Sequence, residues 1–158
     1  MRYNLAFIFG ILIISLPGCW QSKDKKDGLV IINVLDKELY DDCHIEGSIN
    51  IPFEMIEEQA ATIDKNAQVV IYCSNYQCST SEYAARKLCS QGFKNVWVYE
   101  GGIAEWFQEG LPIEGPHKQA YLRKSCRQLP RENEGIPVIS TRDLSQKMGL
   151  DLSQKRAA

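Results

Sequence analysis

Two cysteines separated by four residues are the side chains best suited to chemistry. Cys73 ends the apolar run QVVIYC (68–73), which predicts a buried strand, and Cys78 ends the polar stretch SNYQC that follows. A loop that leads from a parallel strand into a helix gathers unpaired backbone N–H groups and the positive end of the helix dipole. Both features favour a thiolate, so the sequence predicts a reactive, low-pKa thiol at Cys73. A buried, inert cysteine at the strand end is the alternative.

Cys78 admits a second kind of chemistry. Two cysteines that span a six-residue loop can form a reversible disulfide, or Cys78 can resolve a persulfide on Cys73. A disulfide requires Cα atoms about 4.4 to 6.8 Å apart, so its formation depends on the conformation of the loop. An inert loop thiol is the alternative for Cys78.

Alternating strands and helices position this loop. Short connections between them predict an α/β fold with a parallel sheet covered by helices and joined by right-handed crossovers. A capping box of Ser79 and Glu82 predicts the start of the helix that follows the loop. Cys89 is expected on the apolar face of that helix, in the core. The other predicted strands are LVIINV (29–34), SINIP (48–52) and NVWVY (95–99), and the other predicted helices are FEMIEEQAATI (53–63) and IAEWFQEG (103–110).

The composition of the chain suits one ordinary domain. Its 158 residues are 44% hydrophobic, and its net charge of −2 gives no basic face of the kind that binds nucleic acid. We expect one domain over 29–115 and an extension of unknown role over 116–158. In this extension, PVISTRDLSQKMGL (137–150) predicts an extended piece and then a helix capped by Ser140 or Thr141. The helix either packs on the domain or binds a partner.

The amino terminus has the pattern of an export signal. Arg2 precedes an apolar run over 5–16 that is about half the length of a membrane-spanning helix, so 1–18 is expected to be a signal peptide. The segment LPGC, which ends at Cys19, resembles a bacterial lipobox, and this resemblance implies a lipid on Cys19. Soluble secretion and an uncleaved anchor are the alternatives.

An exported lipoprotein has consequences for the rest of the chain. The polar stretch over 19–28 is expected to be a tether that holds the domain off the bilayer, and Trp20 favours periplasmic exposure on the outer membrane over inner-membrane retention.

Without Cys19, five of the six cysteines remain, and an odd number cannot all pair within the chain. Cys43 and Cys126 are candidates for a structural disulfide. Because no pair has Cys-x-x-Cys spacing, neither a metal nor another cofactor is predicted.

Three ordered motifs resemble the rhodanese family. YDDCHIEGSINIP (40–52) is similar to its first signature, and VVIYC with a five-residue loop and an Ala-rich helix is similar to its active-site segment. GFKNVWVYEGGIAEWFQEGLP (92–112) is similar to its characteristic end. The resemblance covers 29–115 and implies a single rhodanese-like domain with a parallel central sheet flanked by helices.

The resemblance also implies an activity, that of a sulfurtransferase. Cys73 would attack the sulfane sulfur of a small donor such as thiosulfate, hold it as a persulfide, and pass it to a thiol or cyanide. His44 matches the signature histidine and is expected to be structural. The lipid would be the contact with the membrane, and a protein partner is a further possibility. The substrate-binding cradle would be the loop residues Ser74, Asn75, Tyr76, Gln77, Cys78 and Ser79.

The loop departs from the family pattern at two positions. Tyr76 stands where glycine is common, and Cys78 stands where arginine is frequent. Without that arginine an oxyanion donor loses a bidentate partner, which weakens the expectation of thiosulfate use. A thiol-disulfide redox protein and a non-catalytic binding module are therefore alternatives. A cysteine phosphatase is disfavoured, because Ser79 occupies the position of its essential arginine.

Overall fold

A computed structural model describes residues 28–124 and 135–150. At its centre lies a parallel sheet with the strand order β3-β1-β4-β5, beside a small antiparallel pair of β2 and β6. The predicted α/β fold with a parallel central sheet is confirmed. The strands are β1 (Leu29–Asn33), β2 (His44–Ile45), β3 (Ile49–Asn50), β4 (Gln68–Tyr72), β5 (Asn95–Tyr99) and β6 (Ile113–Glu114).

Within the described residues, α-helices flank the sheet. The predicted helix over 53–63 is a series of short turns, in which 3-10 segments flank a helix of one turn. The helix after β1 and the pairing of β2 with β6 were not predicted, because both involve short segments without a clear apolar period. The helices are α1 (Lys37–Asp42), α2 (Ile56–Gln59), α3 (Thr80–Ser90), α4 (Gly102–Gln108) and α5 (Thr141–Lys147), and the 3-10 segments are Phe53–Met55, Ala60–Thr62 and Ala120–Arg123.

The side chains of β4 alternate between two hydrophobic cores. Val69 and Ile71 belong to the core that contains the buried face of α3, whereas Val70 and Tyr72 belong to the core on the other side, which contains Trp106. A strand buried on both faces needs a continuous apolar run, which explains the composition of this segment. Cys73 continues the first alternation and lies in the same core as Val69 and Ile71.

Helix α3 begins directly after the cysteine loop, as predicted, but not through a capping box. The Ser79 side chain makes no capping hydrogen bond, and the Glu82 carboxylate accepts instead from Arg86 at 2.8 Å. Its buried face consists of Ser81, Ala84, Ala85 and Leu88. Cys89 is exposed, so its predicted core position is wrong. One residue past Leu88, it is rotated about 100° from the buried stripe of a helix with 3.6 residues per turn.

Residues 137–150 pack on the domain. Pro137 O accepts from Val98 N at 3.0 Å and Ile139 N donates to Val98 O at 2.9 Å, which covers the outer edge of β5 with a parallel bridge. Ser140 Oγ accepts from Asp143 N at 3.1 Å and caps α5, whose Leu144 side chain is fully buried. Within 28–124 and 135–150, no helix has both the length and the apolar character needed to cross a bilayer.

The start of α4 fixes the first two peptide units of the cysteine loop. Ile103 N donates to Cys73 O and Ala104 N donates to Ser74 O, each at 3.0 Å. Gly102 makes this approach possible, because a Cβ there would lie 2.6 Å from Cys73 O. Its φ of +60° also lies in the left-handed region that favours glycine. The loop backbone is therefore attached to α4 as well as to β4.

We expect Gly102→Ala to destabilise the domain more than Gly92→Ala. Both substitutions place alanine at a positive φ, which costs roughly 1–2 kcal/mol, but only Gly102 has backbone atoms within 4 Å of the added Cβ. Urea denaturation of the two variants compares the free energies of unfolding. Equal losses in the two variants would contradict the close packing of α4 on the loop.

We expect Leu144→Ala to lower the free energy of unfolding of the whole domain by about 2–5 kcal/mol, as for other buried leucines. Gln146→Ala is the matched control, because Gln146 is exposed on the same helix and should change stability by no more than about 0.5 kcal/mol. Circular dichroism during denaturant unfolding measures both values. A neutral Leu144→Ala variant would show that α5 is not part of the cooperative unit.

Candidate active site

The Cys73 side chain lies at the carboxyl end of the central strand β4 and is fully buried. Its Sγ lies 3.2 Å from Cys78 O and 3.9 Å from Asn75 O, both of which are acceptors. Ser81 Oγ lies 3.4 Å from the same sulfur, on the buried face of α3. The surroundings of Cys73 thus include two carbonyl groups that suit an S–H donor.

Asn75 folds the loop back toward Cys73. Its carbonyl oxygen accepts from Cys78 N at 3.0 Å, and its Oδ1 accepts from Gln77 N at 2.9 Å. These bonds close a tight turn of the type that asparagine side chains favour. The turn uses two of the loop N–H groups that the sequence assigned to a substrate cradle, and it brings Cys78 next to Cys73.

The Cys78 thiol is partly exposed and is surrounded by donors. A hydrogen bond from Cys73 lowers the pKa of Cys78 to about 5, with further contributions from the Thr80 hydroxyl and from the N–H groups of Thr80 and Ser74. Cys78 Sγ lies 3.4 Å from Thr80 Oγ1. The loop therefore stabilises a thiolate on Cys78.

The expected low pKa of Cys73 is wrong in this structure. The hydrogen bond with Cys78 and burial together raise the pKa of the Cys73 thiol well above its ordinary value. The opposing hydrogen bonds from the Ser81 hydroxyl and N–H are weaker. The turn also points the carbonyl oxygens of Asn75 and Cys78 at the sulfur, and these groups can accept from a protonated thiol but cannot stabilise a thiolate. Cys73 is thus the protonated member of a pair of thiol groups.

Tyr76 attaches the middle of the loop to α4. Its hydroxyl donates to Glu105 Oε2 at 2.7 Å, and the Tyr99 hydroxyl lies 3.4 Å from the same oxygen and 3.0 Å from Thr141 Oγ1. A cavity of about 370 Å³ lies between the loop and α5. Its lining includes Tyr76, Tyr99, Glu100, Glu105, Thr141 and Arg142. Carboxylates outnumber cations among these side chains.

His44 has structural contacts. Its Nδ1 lies 2.7 Å from Tyr40 O, its ring stacks on the Tyr40 ring at 3.8 Å, and its Nε2 lies 3.3 Å from a Glu114 carboxylate oxygen.

The pairing of Cys43 with Cys126 stays a prediction, because Cys126 lies outside the described residues, as does Cys19. Burial, aided by the negative charge of Asp42, raises the pKa of Cys43 to about 11. In the described ranges, no three His, Cys, Asp or Glu side chains cluster as metal ligands would.

Sequence reasoning missed three contacts around the loop. Ser81 lies beside the Cys73 sulfur, Gly102 permits the approach of α4, and Glu105 accepts from Tyr76. The hydroxyl run at 79–81 gave a signal for the first, because a serine on the apolar face of a helix requires a polar partner. No local signal connected Glu105 with a residue 29 positions away.

Comparison with known proteins extends the similarity beyond the motifs. The sequence profile of the rhodanese-like domain matches residues 19–109. The thiosulfate sulfurtransferase GlpE of Coxiella burnetii is 32% identical over 93 residues, which cover 59% of this chain and 84% of GlpE. YrkF of Bacillus subtilis, named as a candidate sulfur carrier protein, is 34% identical over 93 residues, which cover 59% of this chain and 49% of YrkF.

Solved structures show the same fold. The rhodanese-like domain of Alr3790 from Anabaena sp. is 30% identical, with a TM-score of 0.51 over 54% of this chain and 98% of that domain. BH2092 from Bacillus halodurans is 28% identical, with a TM-score of 0.54 over 68% of this chain and 75% of that protein. Sequence motifs, sheet topology and these similarities agree: the chain belongs to the rhodanese-like family.

Proposed function

We propose that this protein is a sulfurtransferase or sulfur carrier that holds sulfane sulfur as a persulfide on Cys73. The observation that supports it is the position of the Cys73 sulfur at the end of β4, in contact with a second thiol and with the Ser81 hydroxyl. Sulfur groups in such a position exchange by attack of one sulfur on another. The names of the relatives, a thiosulfate sulfurtransferase and a candidate sulfur carrier, support the same chemistry.

The loop favours a donor without a sulfonate group. Residues 73–79 include no lysine or arginine, and Tyr76 donates its hydroxyl to the Glu105 carboxylate. The sulfonate group of thiosulfate would therefore find no bidentate cation in the loop. We propose a small persulfide or polysulfide as the donor and a thiol as the acceptor, with cyanide as a laboratory acceptor.

We expect purified protein to gain the mass of one sulfur atom after exposure to inorganic polysulfide, and to gain it more slowly from thiosulfate. Cyanide should then remove this sulfur as thiocyanate and restore the thiol. Mass spectrometry of the intact protein and colorimetry of thiocyanate measure the two steps.

The double variant Cys73→Ser/Cys78→Ser should neither gain sulfur at the loop nor release thiocyanate. Cys89→Ser is the matched control, because Cys89 is exposed at the end of α3, and it should behave as wild type. Unchanged thiocyanate release from the double variant would rule out the proposal. If the wild type takes sulfur from neither donor, a non-catalytic binding module would be the remaining function.

A thiol-disulfide redox role is the second candidate, because the Cys73 and Cys78 side chains are hydrogen-bonded to each other. Attack on an external disulfide would give a mixed disulfide, and attack by the partner cysteine would then release the reduced external thiol. The same mass measurement distinguishes this role, since its product has lost two hydrogens and requires both cysteines.

We also propose that the domain acts outside the cytoplasm as a periplasmic lipoprotein anchored to the outer membrane. The support is the sequence pattern over 1–20, with its apolar run and Cys19. A tether over 19–28 would let the domain meet small sulfur compounds in the periplasm. The described residues 29–115 would form the exported sulfur-transfer domain.

In a bacterial host, the full chain should incorporate labelled fatty acid and partition into the detergent phase. Cys19→Ala should lose both properties, because Cys19 provides the sulfur to which the lipid is attached. Cys89→Ser should keep both. Detergent partition that is unchanged in Cys19→Ala would contradict the lipid anchor, and recovery of the wild type in inner-membrane fractions would contradict outer-membrane sorting.

A further inference from the structure

The two cysteines of the loop differ in access. Cys73 has no exposed surface, whereas Cys78 is partly exposed at the end of the turn. A thiolate attacks along the axis of the donor's S–S bond, so the donor must be able to line up with the attacking sulfur. The partly exposed sulfur of Cys78 is the one that a donor from solvent can reach without prior movement of the loop.

The groups around the two sulfurs also differ in kind. Cys73 Sγ lies 3.2 Å from Cys78 O, and a carbonyl oxygen can only accept, so this contact favours the protonated thiol. Cys78 instead lies beside groups that can donate to a thiolate: Cys73, the Thr80 hydroxyl and N–H, and the Ser74 N–H all lower its pKa, and its Sγ lies 3.4 Å from Thr80 Oγ1. These donors hold the pKa of Cys78 at about 5, so Cys78 is largely a thiolate at neutral pH.

We propose that Cys78 is the nucleophile that takes sulfur from the donor, and that Cys73 receives the sulfur from Cys78. This inference rests on the sulfur-transfer function proposed above. It reverses the roles that position in the loop suggests, in which Cys73 attacks and Cys78 resolves. The partly exposed sulfur of Cys78 meets the donor first, and the buried sulfur of Cys73 then stores the transferred sulfur.

The first step moves one sulfane sulfur from a polysulfide to Cys78. The thiolate attacks a terminal sulfur of tetrasulfide dianion, a new S–S bond forms, and trisulfide dianion leaves with the electron pair of the broken S–S bond. The product is the Cys78 persulfide anion. The total charge and the number of sulfur atoms are unchanged, and no oxidant is needed.

The second step passes that sulfur across the contact between the two side chains. The Cys73 proton moves to the persulfide, the Cys73 sulfur attacks the outer sulfur, and Cys78 leaves as a thiolate. A thiolate that is already stabilised by donors is the better leaving group, and the less acidic Cys73 forms the more persistent persulfide. The step therefore ends with sulfur stored on Cys73 and with Cys78 ready to react again.

A quenched time course with inorganic polysulfide tests the order. Chymotrypsin cleaves after tyrosine, so cleavage after Tyr76 separates Cys73 from Cys78 and mass spectrometry can locate the added sulfur. In the wild type, sulfur should appear on Cys78 first and then on Cys73. In Cys73→Ser, it should accumulate on Cys78, because the sulfur that would accept it is absent.

In Cys78→Ser, sulfur addition to Cys73 should slow at least about tenfold, because the remaining thiol is buried and protonated. Cys89→Ser should load as wild type. Thermal melts confirm folding, and the wild-type time course gives the order without any variant. A second readout is iodoacetamide at pH 6, which should alkylate Cys78 before Cys73.

Several outcomes would overturn the relay while leaving sulfur transfer intact. These are direct loading of Cys73 at the wild-type rate in Cys78→Ser, loading of Cys73 before Cys78 in the wild type, and absence of sulfur on Cys78 in Cys73→Ser. Release of sulfide with formation of a Cys73–Cys78 disulfide would show attack on the inner sulfur, and would also overturn it. A wild type that takes no sulfur on either cysteine would instead refute the proposed function.

Discussion

The site depends on the attachment of two successive peptide units, at the end of β4, to the first turn of α4. The carbonyl oxygens of Cys73 and Ser74 accept hydrogen bonds from the first turn of α4, and Gly102 lets the two backbones approach. These bonds fix the direction in which the chain leaves the sheet. Because Cys73 also belongs to the core beneath α3, its side chain is fixed in position, and the turn at Asn75 brings Cys78 back next to it. The contact between Cys73 and Cys78 follows from this constraint.

That contact makes the two sulfurs chemically different although both are loop cysteines. One proton between them stabilises negative charge on Cys78 and neutralises Cys73, and the surrounding backbone reinforces the difference. In the family pattern an arginine at the position of Cys78 would supply a fixed positive charge. Replacement by cysteine removes that charge and adds a second nucleophile. In the relay that we propose, the loop therefore no longer attracts an oxyanion but lets sulfur move between two side chains.

The sequence predicted the strands of the sheet and the position of Cys73 well, because an apolar, β-branched run such as LVIIN or QVVIY is typical of a strand buried on both faces. The chemistry inside the loop was predicted less well. Whether N–H groups or carbonyl groups face a sulfur depends on a few backbone dihedral angles, which Asn75 sets through its turn. Cys89 shows a similar limit, since one residue along α3 decides between core and solvent. The pairing of β2 with β6 joins segments nearly 70 residues apart, and two-residue strands give no local pattern.

The extension beyond 115 is connected to the loop through a chain of side chains. Thr141 in α5 meets the Tyr99 hydroxyl, which shares the Glu105 carboxylate with Tyr76. Burial and the neighbouring carboxylate raise the pKa of Tyr76, so its hydroxyl stays protonated and keeps donating to Glu105 across the physiological range. A glycine at position 76 could not make this bond. The tyrosine thus gives the loop a side-chain anchor, and α5 faces this anchor across the cavity. Domain and extension are therefore best understood as one unit built around the cysteine loop.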